Sequence, residues 1–476
     1  MATCATCGQN FSGFSFGSAP ATQCPDCRRQ AAVETPPTAA QGAPQFVVAV
    51  PTVPTPYVTY TIIALNVAVY LAMCIGRVSW IDPQPLDAFR WGADFGPITL
   101  GGQWWRLFTS MFVHFGIIHI GLNMWCLLNL GRSLEFLMGR KAFTASYLAC
   151  GVASSIVSIW WHPLGVSAGA SGAIFGTAGT FAAYVFLKRV ALSPRSLKQI
   201  RNSLAAFIFY NLAFGAAIGP IDNSAHIGGL IAGAILGAIV PPVPRFRVRG
   251  AGSAAADFPV DRSQEDRRAN LVAWAIIFGS MAILTGAFLW VRSLHMPDAK
   301  YGQAAQLARS GKTDEAVRTL QDLVQNNPNM LQAQMLLGEL SLERGDAIPA
   351  IASLERAVAI DDSDPQNQQN LALAYLAAGR PGDAYPHVST ALSLEGKADW
   401  STLYIRGICE AKNGDTGAAK RDLQAAATAQ PVFKEAADAL STVTQAEQLK
   451  IPASQLQFAV PFSALIAKSD EWPLFP

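Results

Sequence analysis

Between Tyr57 and about Val291 the chain carries seven apolar stretches, most of them near the ~20 residues that a helix needs to cross a hydrocarbon core. They run over 59–76, 112–130, 143–161, 171–187, 204–218, 226–240 and 271–291. A backbone in lipid must satisfy its own hydrogen bonds, so these stretches predict a polytopic bundle of helices. The composition agrees: 14% of residues are charged, against ~25% in soluble domains. The 35 Lys plus Arg against 33 Asp plus Glu leave a net charge of +2, too balanced to imply nucleic acid as a partner.

The placement of positive charge predicts an orientation, because Lys and Arg are retained in cytoplasmic loops. Arg132, Arg140 and Lys141 follow the second stretch, and Lys188, Arg189, Arg195, Lys198 and Arg201 follow the fourth. Six arginines between Arg245 and Arg268 follow the sixth. The intervening connections carry few or none. This predicts a cytoplasmic amino terminus and, after an odd number of spans, an extracytoplasmic carboxyl-terminal domain, most simply in a bacterial inner membrane. The first 30 residues lack the apolar core of a signal peptide.

Beyond residue 297 the chain repeats itself. Ala316, Ala350, Ala384 and Ala419 are 34, 34 and 35 residues apart, and so are Gly311, Gly345, Gly379 and Gly414. Large apolar residues share the period at Leu320, Leu354, Val388 and Leu423, and small ones at Ala304, Gly338, Ala372 and Gly407. A helix-turn-helix unit of this length resembles the tetratricopeptide repeat, which implies a stack that binds protein or peptide partners. A plain helical bundle is the alternative, but it requires no fixed period.

Cys4 and Cys7 form one CxxC and Cys24 and Cys27 another, with sixteen residues between the pairs. Four thiolates so spaced predict a structural zinc ribbon, since ~30 residues bury too little to fold unaided. A redox dithiol or a pair of disulfides is the alternative, disfavoured on the reducing cytoplasmic side.

Polar groups inside apolar helices are expensive and mark function. The second stretch holds His114, His119 and Asn123, and the last two are four apart on one helix face. Ser171 opens the fourth stretch and His226 the sixth, and both helices start on the predicted outer side. The pair has the chemistry of a serine hydrolase lacking a third carboxylate. Ser171 is the nucleophile, His226 the base, and His119, Asn123 and the Ser171 N–H are the oxyanion donors. Gly169 and Gly172 let backbone approach a substrate, and the reaction requires no metal. Each feature alone also reads as helix packing.

The stretch from Tyr57 to Pro241 resembles the rhomboid intramembrane serine proteases. The matching motifs are Trp105-Arg106, HxxxN at His119 to Asn123, GxSG at Gly169 to Gly172, and AHxxG at Ala225 to Gly229. The resemblance implies a six-helix core, the Ser171/His226 dyad and that oxyanion hole. It also implies transmembrane protein substrates, cut in or next to their membrane segments. His114 matches a further family histidine, and Phe175 stands where some members have a tyrosine stacked on the histidine. Trp105 also reads as an interfacial anchor.

The expected fold is therefore all-α. It comprises a zinc ribbon (1–30), a linker (31–56), a six-helix membrane core (57–241), a basic cytoplasmic linker (242–270) and a seventh transmembrane helix (271–291). A repeat solenoid (297–445) and a tail of unassigned role (446–476) complete it. A catalytically silent scaffold, binding transmembrane clients in the bilayer and recruiting partners through its repeats, is the alternative function; a transporter fits less well, because the polar residues gather near one leaflet.

Overall fold

The computed structural model describes residues 2–11, 27, 55–187, 189–190, 193–217, 221–242, 262–396, 398–461 and 464–465. Cys24, most of the linker 31–56, the arginines at 245, 247 and 249, and residues 466–476 lie outside the described residues. The fold is all-α, a membrane helix bundle joined to a helical repeat solenoid, with only two-residue strands besides among the described residues. Two of these, β1 (Ala2–Thr3) and β2 (Asn10–Phe11), pair antiparallel.

In chain order the helices are α1 (Tyr57–Ile75), α2 (Pro85–Arg90), α3 (Gly96–Leu100), α4 (Arg106–Thr109), α5 (Ile117–Met138), α6 (Arg140–Trp161), α7 (Ser171–Phe186), α8 (Pro194–Ala217), α9 (Asn223–Ile239) and α10 (Arg262–Leu294). The repeats follow as α11 (Met296–Arg309), α12 (Thr313–Asn326), α13 (Leu331–Glu343), α14 (Ala347–Ile360), α15 (Pro365–Ala377), α16 (Pro381–Leu394), α17 (Trp400–Asn413), α18 (Thr416–Ala429) and α19 (Lys434–Leu449). The chain divides into two compact units: residues 1–84, 107–158 and 167–287, and residues 85–106, 159–166 and 288–476.

In the first unit, α1, α6 and residues Asn270–Leu294 are each long and apolar enough to cross a bilayer, while α7 and α9 are apolar but shorter. Leu65, Leu71, Ile231, Ile235 and Phe278 are exposed on these helices, and Leu122 on α5. An apolar surface of that extent is a face for lipid. Glu135, buried on α5, accepts from Val58 N at 3.1 Å, Thr59 N at 2.9 Å and Thr59 Oγ1 at 2.8 Å. It satisfies backbone donors that the start of α1 leaves orphaned.

Three boundaries differ from expectation. The second stretch is not one helix from residue 112: a segment over Arg106–Phe112 meets α5 at 94°. Gly116 turns the corner at φ +89, and a β-carbon there would lie 2.2 Å from the Ile81 carbonyl oxygen. His114 therefore precedes the helix that carries His119 and Asn123. The fifth helix starts at Pro194 rather than Leu204, taking Arg195, Lys198 and Arg201 into its first turns. The last apolar helix begins at Arg262, inside the expected linker.

In the second unit the 34-residue period becomes geometry. Gly311, Gly345, Gly379 and Gly414 all hold positive φ after the first helix of each pair. Ala316, Ala350, Ala384 and Ala419 are fully buried. A β-carbon on Gly338 would lie 2.5 Å from Leu354, and one on Gly407 2.8 Å from Leu423, so small residues set the spacing within each pair. The same unit includes residues 85–106. Phe89, Phe95 and Ile98 share one core with Tyr301, Ala304 and Leu320. A β-carbon on Gly302 would fall 1.7 Å from the Pro97 carbonyl oxygen, which places α3 directly against α11.

Candidate active site

Two parallel helices carry the central pair. Ser171 opens α7, and His226 lies in the first turn of α9. β-Carbons added to Gly229, Gly233 and Gly237 would meet the carbonyl oxygens of Gly172, Gly176 and Thr180 at 2.0, 1.9 and 2.6 Å. The contacts advance four residues at a time on both helices, so the two run in the same direction and in register. Thr180 Oγ1 adds a cross-helix bond to Gly233 O at 2.9 Å. This glycine seam brings His226 Nε2 to 2.9 Å from Ser171 Oγ.

The imidazole is fixed by stacking. Phe175, one turn along α7 from Ser171, lies parallel to the His226 ring at 4.3 Å between centroids and 8° between planes. Phe207 of α8 backs Phe175 at 5.3 Å. Nδ1 of His226 has no hydrogen-bond partner among the described residues. When the ring proton sits there, Nε2 accepts from the Ser171 hydroxyl.

His119 and Asn123 converge on the loop just before Ser171. Gly169 holds φ +128, and a β-carbon there would lie 3.0 Å from His119 Nε2 and 3.8 Å from Asn123 Nδ2. The backbone N–H of Phe115 donates to His119 Nδ1 at 3.2 Å, and the two rings stack with 9° between planes. An accepting Nδ1 leaves the proton on Nε2, so that His119 presents a donor toward the GxSG loop. His114, fully buried, holds the same loop: its Nδ1 lies 3.3 Å from Phe112 O, and the Ala170 N–H donates to its Nε2 at 3.4 Å. Gly169 N–H donates to Ser110 O at 2.9 Å.

Asp222, which the motif reading passed over, ties this arrangement together. It caps α9 by accepting from Ala225 N at 2.9 Å, and it also accepts from the hydroxyls of Ser158 on α6, Ser167 at 2.6 Å and Ser224. One carboxylate thus joins α6, the strand leading to Gly169, and the helix carrying His226. An acidic residue just before an apolar helix is an N-cap signal, which marks Asp222 in the sequence. Phe115 and Phe207 carry no such signal.

Trp105 and Arg106 belong to the second unit. Trp105 is exposed and packs edge-to-face on Trp104. Arg106 is buried, donates to Phe89 O at 2.8 Å, Ala93 O at 2.7 Å and Gln103 Oε1 at 2.8 Å, and lies 4.0 Å over the Phe89 ring. It organises residues 89–106. Burial, with Arg309 nearby and against the opposing pull of Asp94, holds its guanidinium below the ordinary value, at about 10, so it keeps its charge at neutral pH.

At the amino terminus the sulfurs of Cys4, Cys7 and Cys27 lie within 4.8 Å of one another. Sulfurs sharing one tetrahedral zinc at ~2.3 Å stand about 3.8 Å apart, so the three fit a common metal.

The fold is a membrane helix bundle that brings one serine and one histidine within hydrogen-bond distance. The Rhomboid domain family model matches residues 101–242, and that of the Tetratricopeptide repeat matches residues 301–365. Rhomboid protease GluP of Bacillus subtilis (strain 168) is 32% identical over 322 residues, covering 67% of this chain and 58% of that one. Rhomboid protease AarA of Providencia stuartii is 30% identical over 201 residues, covering 37% of this chain and 70% of that one. The chain belongs to the rhomboid family. It spans 58% of the length of the Bacillus relative. Among solved structures, that of MamA protein is similar to 37% of this chain over 92% of its own, at 17% identity and a TM-score of 0.30.

Proposed function

We propose that the chain is an intramembrane serine protease, hydrolysing peptide bonds in or next to the transmembrane segments of other membrane proteins. The observation that carries this reading is the 2.9 Å approach of His226 Nε2 to Ser171 Oγ beside a loop faced by His119 and Asn123. The two relatives, both named rhomboid proteases, support the reaction class.

In this reading His226 Nε2 takes the hydroxyl proton as Ser171 Oγ attacks the scissile carbonyl carbon. The carbonyl electron pair moves onto oxygen, where His119 Nε2–H, Asn123 Nδ2–H and the Ser171 N–H stabilise it. His226 then gives the proton to the departing amine nitrogen as the C–N bond breaks. Water hydrolyses the acyl ester through the same two proton transfers. Phe175 keeps the imidazole plane in place throughout, with no carboxylate among the described residues bonded to Nδ1.

Three further readings accompany this one. The clustered cysteines, with Cys24, hold a structural zinc that folds the amino-terminal ribbon and has no part in catalysis. The repeats recruit protein or peptide segments. The distribution of Lys and Arg supports a bacterial inner-membrane protein with a cytoplasmic amino terminus and extracytoplasmic repeats.

The test is cleavage of a transmembrane reporter by the purified chain in liposomes. Ser171→Ala is expected to abolish it, and His119→Ala or Asn123→Ala to slow it about 10²–10³-fold. Labelling of Ser171 by a fluorophosphonate is expected to disappear in His226→Ala. Cleavage that survives Ser171→Ala refutes the dyad.

A further inference from the structure

Helix α17, the first of the last repeat pair, is covered by the chain's own carboxyl-terminal segment, and the covering has the form of a bound peptide. On α17, Gly407 faces α18, since a β-carbon there would meet Leu423. Tyr404, Ile408 and Lys412 are spaced four apart and form a separate stripe, turned roughly 100° from Gly407 on average. Leu456 to Val460 lie on that stripe. Tyr404 Oη donates to the Ala459 carbonyl oxygen, and Lys412 Nζ donates to that of Leu456 at 3.2 Å. Lys412 Nζ also sits 5.7 Å from the centre of the Phe458 ring.

Burial alternates along the segment. Leu456 is 5% exposed and joins the core of the repeats, and Phe458 and Val460 are half-buried against it, whereas Gln457 and Ala459 are exposed. This period of two belongs to an extended chain laid on a surface. Yet the segment has no sheet partner and forms no helix between Leu456 and Pro461. The two helix-borne donors bind its backbone carbonyls, which any polypeptide offers, and the surface selects only apolar side chains at alternate positions.

We propose that the Tyr404/Ile408/Lys412 face is a binding surface for an extended segment of another polypeptide with apolar side chains at alternate positions, held in cis by Leu456–Val460 until displaced. The cis segment leaves α19 through Lys450, in left-handed conformation at the helix end. It stays tethered at an effective concentration of about millimolar, so a trans segment must outcompete a linked rival. This inference rests on the reading that the repeats recruit protein or peptide segments, and it is independent of the protease reading.

The test uses the full chain in detergent and a fluorescent peptide of residues 453–461 as the probe. In a Leu456→Asp/Phe458→Asp chain, whose own segment is loosened, the peptide is expected to bind saturably and at least tenfold more tightly than to wild type. A peptide carrying the same two changes is expected not to bind. In wild type, excess unmodified peptide is expected to speed amide hydrogen exchange of residues 452–461 without changing that of α11–α16. A folded double variant that binds no better than wild type overturns the proposal. So does slow exchange of residues 452–461, matching the core of α17 and unmoved by peptide, which would make the segment a fixed part of the fold. Concentration-dependent dimerisation with no peptide binding also overturns it, assigning the face to a second copy.

Discussion

Gly229 and Gly172 lie so close that a β-carbon on Gly229 would fall 2.0 Å from the Gly172 carbonyl oxygen. Each is at most one helical turn from a member of the proposed dyad, so their separation sets the gap between Ser171 and His226. Gly229→Ala must push α9 away from α7 or tilt it. Misplacement by about 1 Å costs ~10² in rate, and cleavage by Gly229→Ala is expected to fall by at least that, measured as initial rate on monodisperse protein. A wild-type rate would show that the helices part without moving His226.

Asp222 accepts four hydrogen bonds that join three segments. Asp222→Ala removes an N-cap, worth ~0.5–2 kcal/mol, and leaves the Ser158 and Ser167 hydroxyls without this acceptor. The midpoint of thermal unfolding is expected to drop by several degrees, and kcat to fall more than KM rises. Asp222→Asn keeps an oxygen for Ala225 N and is expected to recover most of the stability. Equal kcat in wild type and Asp222→Ala would remove Asp222 from the positioning of His226.

Most of the proposed dyad and its donors was legible because helical geometry turns spacing into direction. His119 and Asn123 share a face at four residues, and the glycines of α7 and α9 repeat at four and meet. The loop charges added the expectation that both helices start on one side. What spacing does not carry was invisible: Phe207 acts through stacking across helices, and Phe115 stacks on His119 from the corner before α5. The break at Gly116 was hidden because the apolar stretch runs on through the corner, so hydropathy read two segments as one. The repeat period was read directly from residue spacing, but the docking of α3 on α11 was not. It joins positions about 200 residues apart, and no periodic signal in residues 85–106 names its partner.

Glu339 gives the repeats a pH dependence. It is buried on α13, accepting from Asn370 Nδ2 at 3.1 Å, and burial, with Glu343 nearby, pushes its carboxyl up to about 8. The folded state therefore holds a proton that the unfolded chain releases near 4.5, so stability declines as pH rises from there through about 8. The loss is on the order of a few kcal/mol. Thermal unfolding of the repeats, followed by hydrogen exchange in the intact chain, is expected to occur several degrees lower at pH 9 than at pH 5. Glu339→Gln is expected to flatten that dependence; an unchanged slope would assign it to other groups.

Gly302 permits α3 to rest on α11, with the Pro97 carbonyl oxygen 1.7 Å from where its β-carbon would be. Gly302→Val is expected to undock residues 89–100. Their amides should exchange at least tenfold faster, while α13–α18 keep wild-type protection. Unchanged protection over 89–100 would mean that Arg106 and its three bonds hold the segment without the repeats.

The amino-terminal cysteines predict stoichiometric zinc in the purified chain, measured by metal analysis. Cys4→Ser and Cys7→Ser are each expected to lose it, as is treatment with a strong chelator. Fluorophosphonate labelling of Ser171 is expected to persist in all three, because nothing in the proposed reaction passes through the metal. Loss of labelling on chelation would contradict that separation.

The core shared by Ile98 and Tyr301 imposes a parity rule on the chain between them. With the repeats on the proposed extracytoplasmic side, both segments would occupy one side of a bilayer, so the path from Arg106 to Met296 would cross an even number of times. Six helices, α5 to α10, lie on that path and satisfy the rule when each crosses once. Inserting or deleting a single crossing there would separate α3 from α11 by the whole thickness of the membrane, however well every remaining helix packed.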